Sequence, residues 1–275
     1  MTALLAPPVE RFAEVLASSR RRLDKETVHQ LRVSIRRLQA ALRLMGQTEN
    51  RRALRPLMQA AGAVRNCDIS LELVRAAALP PGHGAYAALR ATRRAKASVL
   101  KKALLVFVAP TLLESAMVPP RNALKDFFRA GRRAIGHEDE ERLHALRLAG
   151  KRLRYTIELL TPLLDASTPG RLRELKQVQE VLGAINDCAT ARLLVNDAAF
   201  HEWLAAEQTR RIEQFEECWR VRFGVLGAWE SWWLFLGPAL DRSSPSPAPH
   251  KLSRTSRFTS RRTPFPSSPP AEHGG

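Results

Sequence analysis

The chain has 275 residues, 45% hydrophobic and 26% charged, with a formal net charge of +17 and a pI near 11.1. That length and apolar content support one large domain or two small ones with a real core, and the charge points to a polyanionic partner. Cys67, Cys188 and Cys218 form neither a metal-ligand nor a disulfide pattern, and no apolar run approaches the about 18 residues of a membrane span, so neither a metal nor a membrane is expected as partner.

Leu, Ala, Arg and Glu dominate, which favours helix. No segment alternates as a strand would, so an all-α fold is predicted. The opening MTALLAPPVERF has no basic segment leading into an apolar stretch, so no signal peptide is expected. The first group of helices is predicted at 9–22, 25–45, 51–78 and 84–108. Pro80, Pro81 and Gly82 separate its last two members, and Pro110, Pro119 and Pro120 mark a junction. The second group is predicted at 121–135, 138–160, 170–198 and 200–222. Glu138, Asp139, Glu140 and Glu141 sit at the start of its second helix, where the helix dipole favours acids. A short cap is predicted over 225–236, carrying Trp229, Trp232 and Trp233 as packing residues. Beyond it, residues 241–275 hold eight Ser and seven Pro, so this basic tail is predicted to be disordered. The folded region 1–240 keeps 38 bases against 25 acids, a balance of about +13.

Two of these helices carry the same motif. Residues 28–45 read VHQLRVSIRRLQAALRLM, and residues 143–160 read LHALRLAGKRLRYTIELL, at an offset of 115 with no gap. Val28, Leu31, Ile35, Leu38, Leu42 and Met45 recur every three or four residues, as do Leu143, Leu146, Gly150, Leu153, Ile157 and Leu160. This spacing marks the packing face of a helix. One step round lie His29, Arg32, Arg36 and Arg43, matched by His144, Arg147 and Lys151 and continued by Arg154. Each helix therefore carries a ladder of cations, about one per 5 Å turn. A second matched pair follows: RPLMQAAGAVRNCD at 55–68 and KQVQEVLGAINDC at 176–188, in which Gly62 aligns with Gly183 and Cys67 with Cys188. Arg is suited to phosphate because its planar fork donates two hydrogen bonds at once.

A solvated helix face is the plain reading of one basic ladder, but solvated faces drift, and this one recurs with the same spacing. The plain reading of His29 and His144 is structural hydrogen bonding. Tyr155 is read as a packing residue with its hydroxyl at the site edge. Asp68 and Asp187 are expected to form salt bridges with Arg of neighbouring helices. The clusters Arg20-Arg21-Arg22, Arg93-Arg94-Lys96 and Arg210-Arg211 are read as second-tier phosphate contacts. Phosphoryl transfer would need metal-holding carboxylates or a Gly-rich loop with Lys, and neither motif is seen, nor is a nucleophile motif. No enzymatic activity, catalytic residue or cofactor is therefore expected.

The two His motifs and the matched GAVRNCD and LGAINDC stretches resemble the CHAD family, the conserved histidine α-helical domain, over about residues 9–223. The resemblance implies two four-helix bundles related by a pseudo-two-fold axis, half one at about 9–110 and half two at about 121–223. It also implies a basic surface or channel that binds inorganic polyphosphate. Carried onto matching positions, that site comprises His29, Arg32, Arg36 and Arg37 from one helix, with His144, Arg147, Lys151, Arg152, Arg154 and Tyr155 from the other. The chain departs from the family pattern at Asn66, where Asp is usual, and at Asn186-Asp187, which lacks a counterpart of Arg65. These positions are expected at inter-helix contacts. Expected partners are polyphosphate and polyphosphate-processing enzymes, with nucleic acid bound only non-specifically. A cytoplasmic location associated with polyphosphate granules is the matching expectation.

Overall fold

The structure is a computed structural model that describes residues 2–109, 117–137 and 139–241. Among the described residues the secondary structure is helical throughout, with no strand. The helices are α1 (Thr2–Arg21), α2 (Lys25–Leu44), α3 (Thr48–Ala53), α4 (Arg55–Ala76) and α5 (Gly84–Val106). They are followed by α6 (Arg121–Ala134), α7 (Glu140–Leu160), α8 (Thr168–Leu194), α9 (Ala198–Arg222) and α10 (Ala228–Asp241). A single 3₁₀ turn, Thr161–Leu163, extends α7. The tail 242–275, Pro110 and Glu138 lie outside the described residues.

Several expected boundaries differ, and local features accompany three of them. Helix α1 begins at Thr2 rather than near residue 9, and Pro7 and Pro8 lie inside it. They withhold N–H groups from the carbonyls of Ala3 and Leu4, so the turn ahead of them lacks two of its intrahelical hydrogen bonds. The expected helix 51–78 is divided into α3 and α4 at Leu54, because Pro56 cannot donate to the turn before it and restricts Arg55. The cap helix starts later and runs longer than 225–236, since Gly227, with φ +79°, turns the chain into it.

Side-chain caps fix other starts. The Asp24 carboxylate accepts from Thr27 N at 2.7 Å ahead of α2, and Asp139 accepts from Glu141 N at 2.9 Å ahead of α7. Glu140 and Glu141 then occupy the first turn of α7, as the dipole favours.

The apolar seams bury as the spacing requires. Val28, Leu31, Ile35 and Leu42 are wholly excluded from solvent and pack with residues of α1, α4 and α5. Leu146, Leu153, Ile157 and Leu160 are equally buried, the first three in a core built from α6 to α10. Burying one such side chain fully contributes about 1.5–3 kcal/mol. Phe127, Phe128, Phe223 and Trp219 pack edge-to-face or tilted, and Phe223 stacks on Trp232, with centroids 5.1–6.2 Å apart. The tryptophans of the cap are packing residues, and Arg121 lies 4.5 Å over the Trp233 ring.

Glycine makes two close approaches possible. An added Cβ at Gly131 would lie 1.8 Å from the Trp219 ring, so α6 and α9 meet only because no side chain is there. At Gly150 it would lie 3.3 Å from Phe127, which fills the seam position that glycine leaves vacant.

Helix α2 packs on α1, α4 and α7, and α8 packs on α7, α9 and α4. The motif helices α2 and α7 thus lie against each other at the centre, flanked by α4 and α8. A separate apolar cluster of Leu71, Val74, Tyr86, Leu89, Cys188 and Phe200 joins α4 and α5 to α8 and α9. His83 also pairs there with Asp197 at 3.2 Å. Leu44 and Leu160 meet at the opposite end of the motif helices.

Candidate anion-binding cleft

Because their seams bury on opposite sides, α2 and α7 turn their adjacent stripes toward each other. Between them lies a cleft of about 860 Å³. Helix α2 contributes His29, Arg32, Arg36 and Arg43, and α7 contributes His144, Arg147, Lys151, Arg152 and Tyr155. Asp187 is the only carboxylate in its lining, against seven Lys and Arg side chains. Of the ten positions expected at the site, eight line this cleft. The other two, Arg37 and Arg154, do not: both reach Glu158, at 3.3 and 3.2 Å.

The cleft is rich in unanswered donors. The Nε atoms of Arg32, Arg147 and Arg152 are buried without a hydrogen-bond partner. Buried polar groups are normally paired, so these donors suit an acceptor from outside the chain. Burial and the neighbouring Arg36, Arg147 and Arg65 charges lower the Arg32 pKa to about 9. Lys151 is affected most: burial, then Arg36, Arg147 and Arg32, push its pKa down to about 5. Such a shift disfavours the charged amine. Burial also lowers the His29 pKa, helped by Arg65. Cations crowded together in this way repel one another.

His144 is held differently. Its Nδ1 donates to Asn186 Oδ1 at 2.8 Å, which fixes the ring and leaves Nε2 for a ligand. The exposed His144 ring is thus both structurally anchored and at the cleft edge.

Helices α4 and α8 supply lining residues that sequence reasoning assigned elsewhere. Asn66, Asn186 and Asp187, expected at inter-helix contacts, line the cleft, and so does Arg65. The packing of α4 on α8 beneath the motif helices turns these positions inward. Their place at matched offsets beside each motif was the available signal. Asp187 makes no direct ion pair among the described residues. Burial raises its pKa although Arg147, Lys151 and Arg32 act against that rise. Asp68, by contrast, pairs with Arg93 of α5 at 2.5 Å, the expected structural bridge. Gln39, Gln59 and Arg43 complete the site, and Arg43 belongs to the same stripe as Arg36, one further repeat along.

Several members of the outlying basic clusters have local partners. Arg20 donates to the carbonyls of Leu104 and Phe107, and Arg210 and Arg211 both pair with Glu207. Together with Arg93 they are tied to structure rather than aimed into the cleft.

Among the described residues no cluster of His, Cys, Asp and Glu could hold a metal ion, and no helix is long and apolar enough to cross a membrane.

Comparison with known proteins returns one family model, the CHAD domain, matched over residues 3–196. Solved structures that share the fold include the following two. The CHAD domain from the plant Ricinus communis is 24% identical, with 86% of this chain and 89% of that chain covered at a TM-score of 0.58. PptA from Streptomyces chartreusis is 19% identical, with 82% of this chain and 96% of that chain covered at a TM-score of 0.52. No curated protein matches the chain.

Proposed function

The chain belongs to the CHAD family, and we propose that its cleft binds inorganic polyphosphate without catalysing a reaction. The observation that carries this reading is the convergence of both cation ladders on one cleft, with buried guanidinium donors left unpaired. Polyphosphate is a flexible chain with about one negative charge per residue and no bases to read. It matches a row of rigidly spaced cations that offers no exposed aromatic stacking platform. Some CHAD proteins bind polyphosphate, which agrees with the same assignment.

This reading takes α1, α2, α4 and α5 as one four-helix half and α6, α7, α8 and α9 as the other, related by a pseudo-two-fold axis. The packing of α2 on α7 and of α4 on α8 supports it, since corresponding helices meet at such an axis. Helices α3 and α10 are then additions to the two halves. A role beside a polyphosphate-processing enzyme, in the cytoplasm and at polyphosphate granules, is the cellular setting we assign. Nucleic acid is bound non-specifically, through charge alone.

The test is titration with long-chain polyphosphate and, in the same salt, DNA of equal total charge. Polyphosphate should bind more tightly. Replacing Arg32, Arg36, Arg147 and Lys151 together by Ala should flatten the slope of log K against log salt by about two to three units, at about 0.7 per contact. Replacing four arginines of the tail should change it much less. Equal affinity for DNA, or an equal loss in the tail variant, would refute the reading.

A further inference from the structure

The cleft has two side openings of opposite charge. Toward α3 it continues into a groove of about 510 Å³, and Gln39, Arg43, Met58, Gln59 and Arg152 line both. Beyond these shared residues the groove is walled by Arg51, Arg52 and Arg55, facing Asn122 and Asp126 of α6. Arg52 is engaged by Glu49 at 2.6 Å. Arg51 and Arg55 make no ion pair among the described residues. The Arg43 pKa is lowered to about 10 by burial and then by Arg51 and Arg152, so the groove cations lie within electrostatic reach of the cleft. The second opening, a recess of about 250 Å³, shares His144 and Asn186 with the cleft and is rimmed by Glu140 and Glu141.

A polyanion longer than the cleft can run on into either of these adjoining grooves. At the recess Glu140 is paired with Arg192 at 3.4 Å, which leaves Glu141 to repel the chain, while the unpaired Arg51 and Arg55 attract it at the groove. Resting on the polyphosphate reading above, we propose that the bound chain leaves toward α3, and that Arg51 and Arg55, with Arg152, form a second anion subsite that favours long polyphosphate over short. Tripolyphosphate fills the central cleft alone and does not reach Arg51 or Arg55. Long chains engage both. The arginine groove is an asymmetric addition: α3 has no counterpart between α7 and α8, where only the 3₁₀ turn stands.

The experiment compares the unaltered protein with an Arg51→Ala, Arg55→Ala double variant, and uses tripolyphosphate and long-chain polyphosphate as ligands over a range of salt. Long-chain affinity should fall by about tenfold, and its salt slope by about 1.4, at about 0.7 per lost contact. Tripolyphosphate affinity should not change, which also reports that the cleft is still folded. A Glu141→Gln variant should alter long-chain affinity by less than about twofold, because that opening is not the exit. Unchanged long-chain binding in the double variant, equal losses for both ligands, or a selective gain in Glu141→Gln would each overturn the subsite. Failure of the unaltered protein to bind either phosphate would instead overturn the polyphosphate reading, and the subsite with it.

Discussion

The two motif helices carry matched cations but are used unequally. At offset 115, Arg37 corresponds to Arg152 and Gln39 to Arg154. Arg152 and Gln39 line the cleft, while Arg37 and Arg154 turn to Glu158. Arg36 corresponds to Lys151, the most strongly perturbed cation of the site. Ile35 fills its own seam position, whereas at Gly150 the filling is done by Phe127. Helical spacing thus decides which stripe a cation occupies. Neighbouring helices decide whether it meets a ligand, an acid or a ring.

The largest effect expected from this contrast is on stability. Ile35→Ala leaves a cavity in a seam with no outside filler and should cost about 2–5 kcal/mol. Gly131→Ala forces a Cβ into the Trp219 ring and should cost about 1–3 kcal/mol. Gly150→Ala should stay within about 1 kcal/mol, because Phe127 needs to move only slightly and the helix gains from losing glycine. Thermal melts rank the three variants, with about 2–4 °C per kcal/mol. A Gly150→Ala loss as large as that of Ile35→Ala would show that the two seams are packed alike.

The next effect is on protons. The cleft holds Lys151 at a pKa of about 5, far below its ordinary 10.5. At pH 7 a bound polyanion favours the charged amine, so binding takes up a proton and affinity falls as pH rises further. Below about pH 5 the amine is already charged and uptake ceases. In the ligand-free protein the sign reverses. The unfolded chain binds the extra proton between pH 5 and 10.5, so stability should rise with pH across that window. Calorimetry at pH 7 in two buffers of different ionisation enthalpy reads the uptake. Lys151→Arg, which copies α2, should remove most of it and keep binding. Undiminished uptake in that variant would move the proton to His29, whose pKa is also lowered by burial and by Arg65.

The smallest effects concern orientation. Asn186→Ala removes the acceptor that fixes His144, and should cost about 0.5–1.5 kcal/mol of polyphosphate affinity with little change in melting temperature. Arg37→Gln should change affinity by less than about 0.5 kcal/mol, because this exposed side chain is turned to Glu158. If Arg37→Gln weakened binding as much as Arg36→Gln, the contrast between cleft-facing and outward cations would fail.

The sequence by itself determined the helices, the buried seams and the positions of the cation ladders, because a period near 3.6 residues writes each face directly into residue spacing. Capping acids and prolines placed most helix ends within a few residues. Only tertiary structure decided that the two ladders face each other, since no local rule relates the rotation of α2 to that of α7. It also decided that Arg65, Asn66, Asn186 and Asp187 join them, because the packing of α4 on α8 turns these residues toward the cleft. The depressed basicity of Lys151 is likewise invisible in sequence: it arises from burial among arginines of both helices, and both causes exist only once the chain has folded.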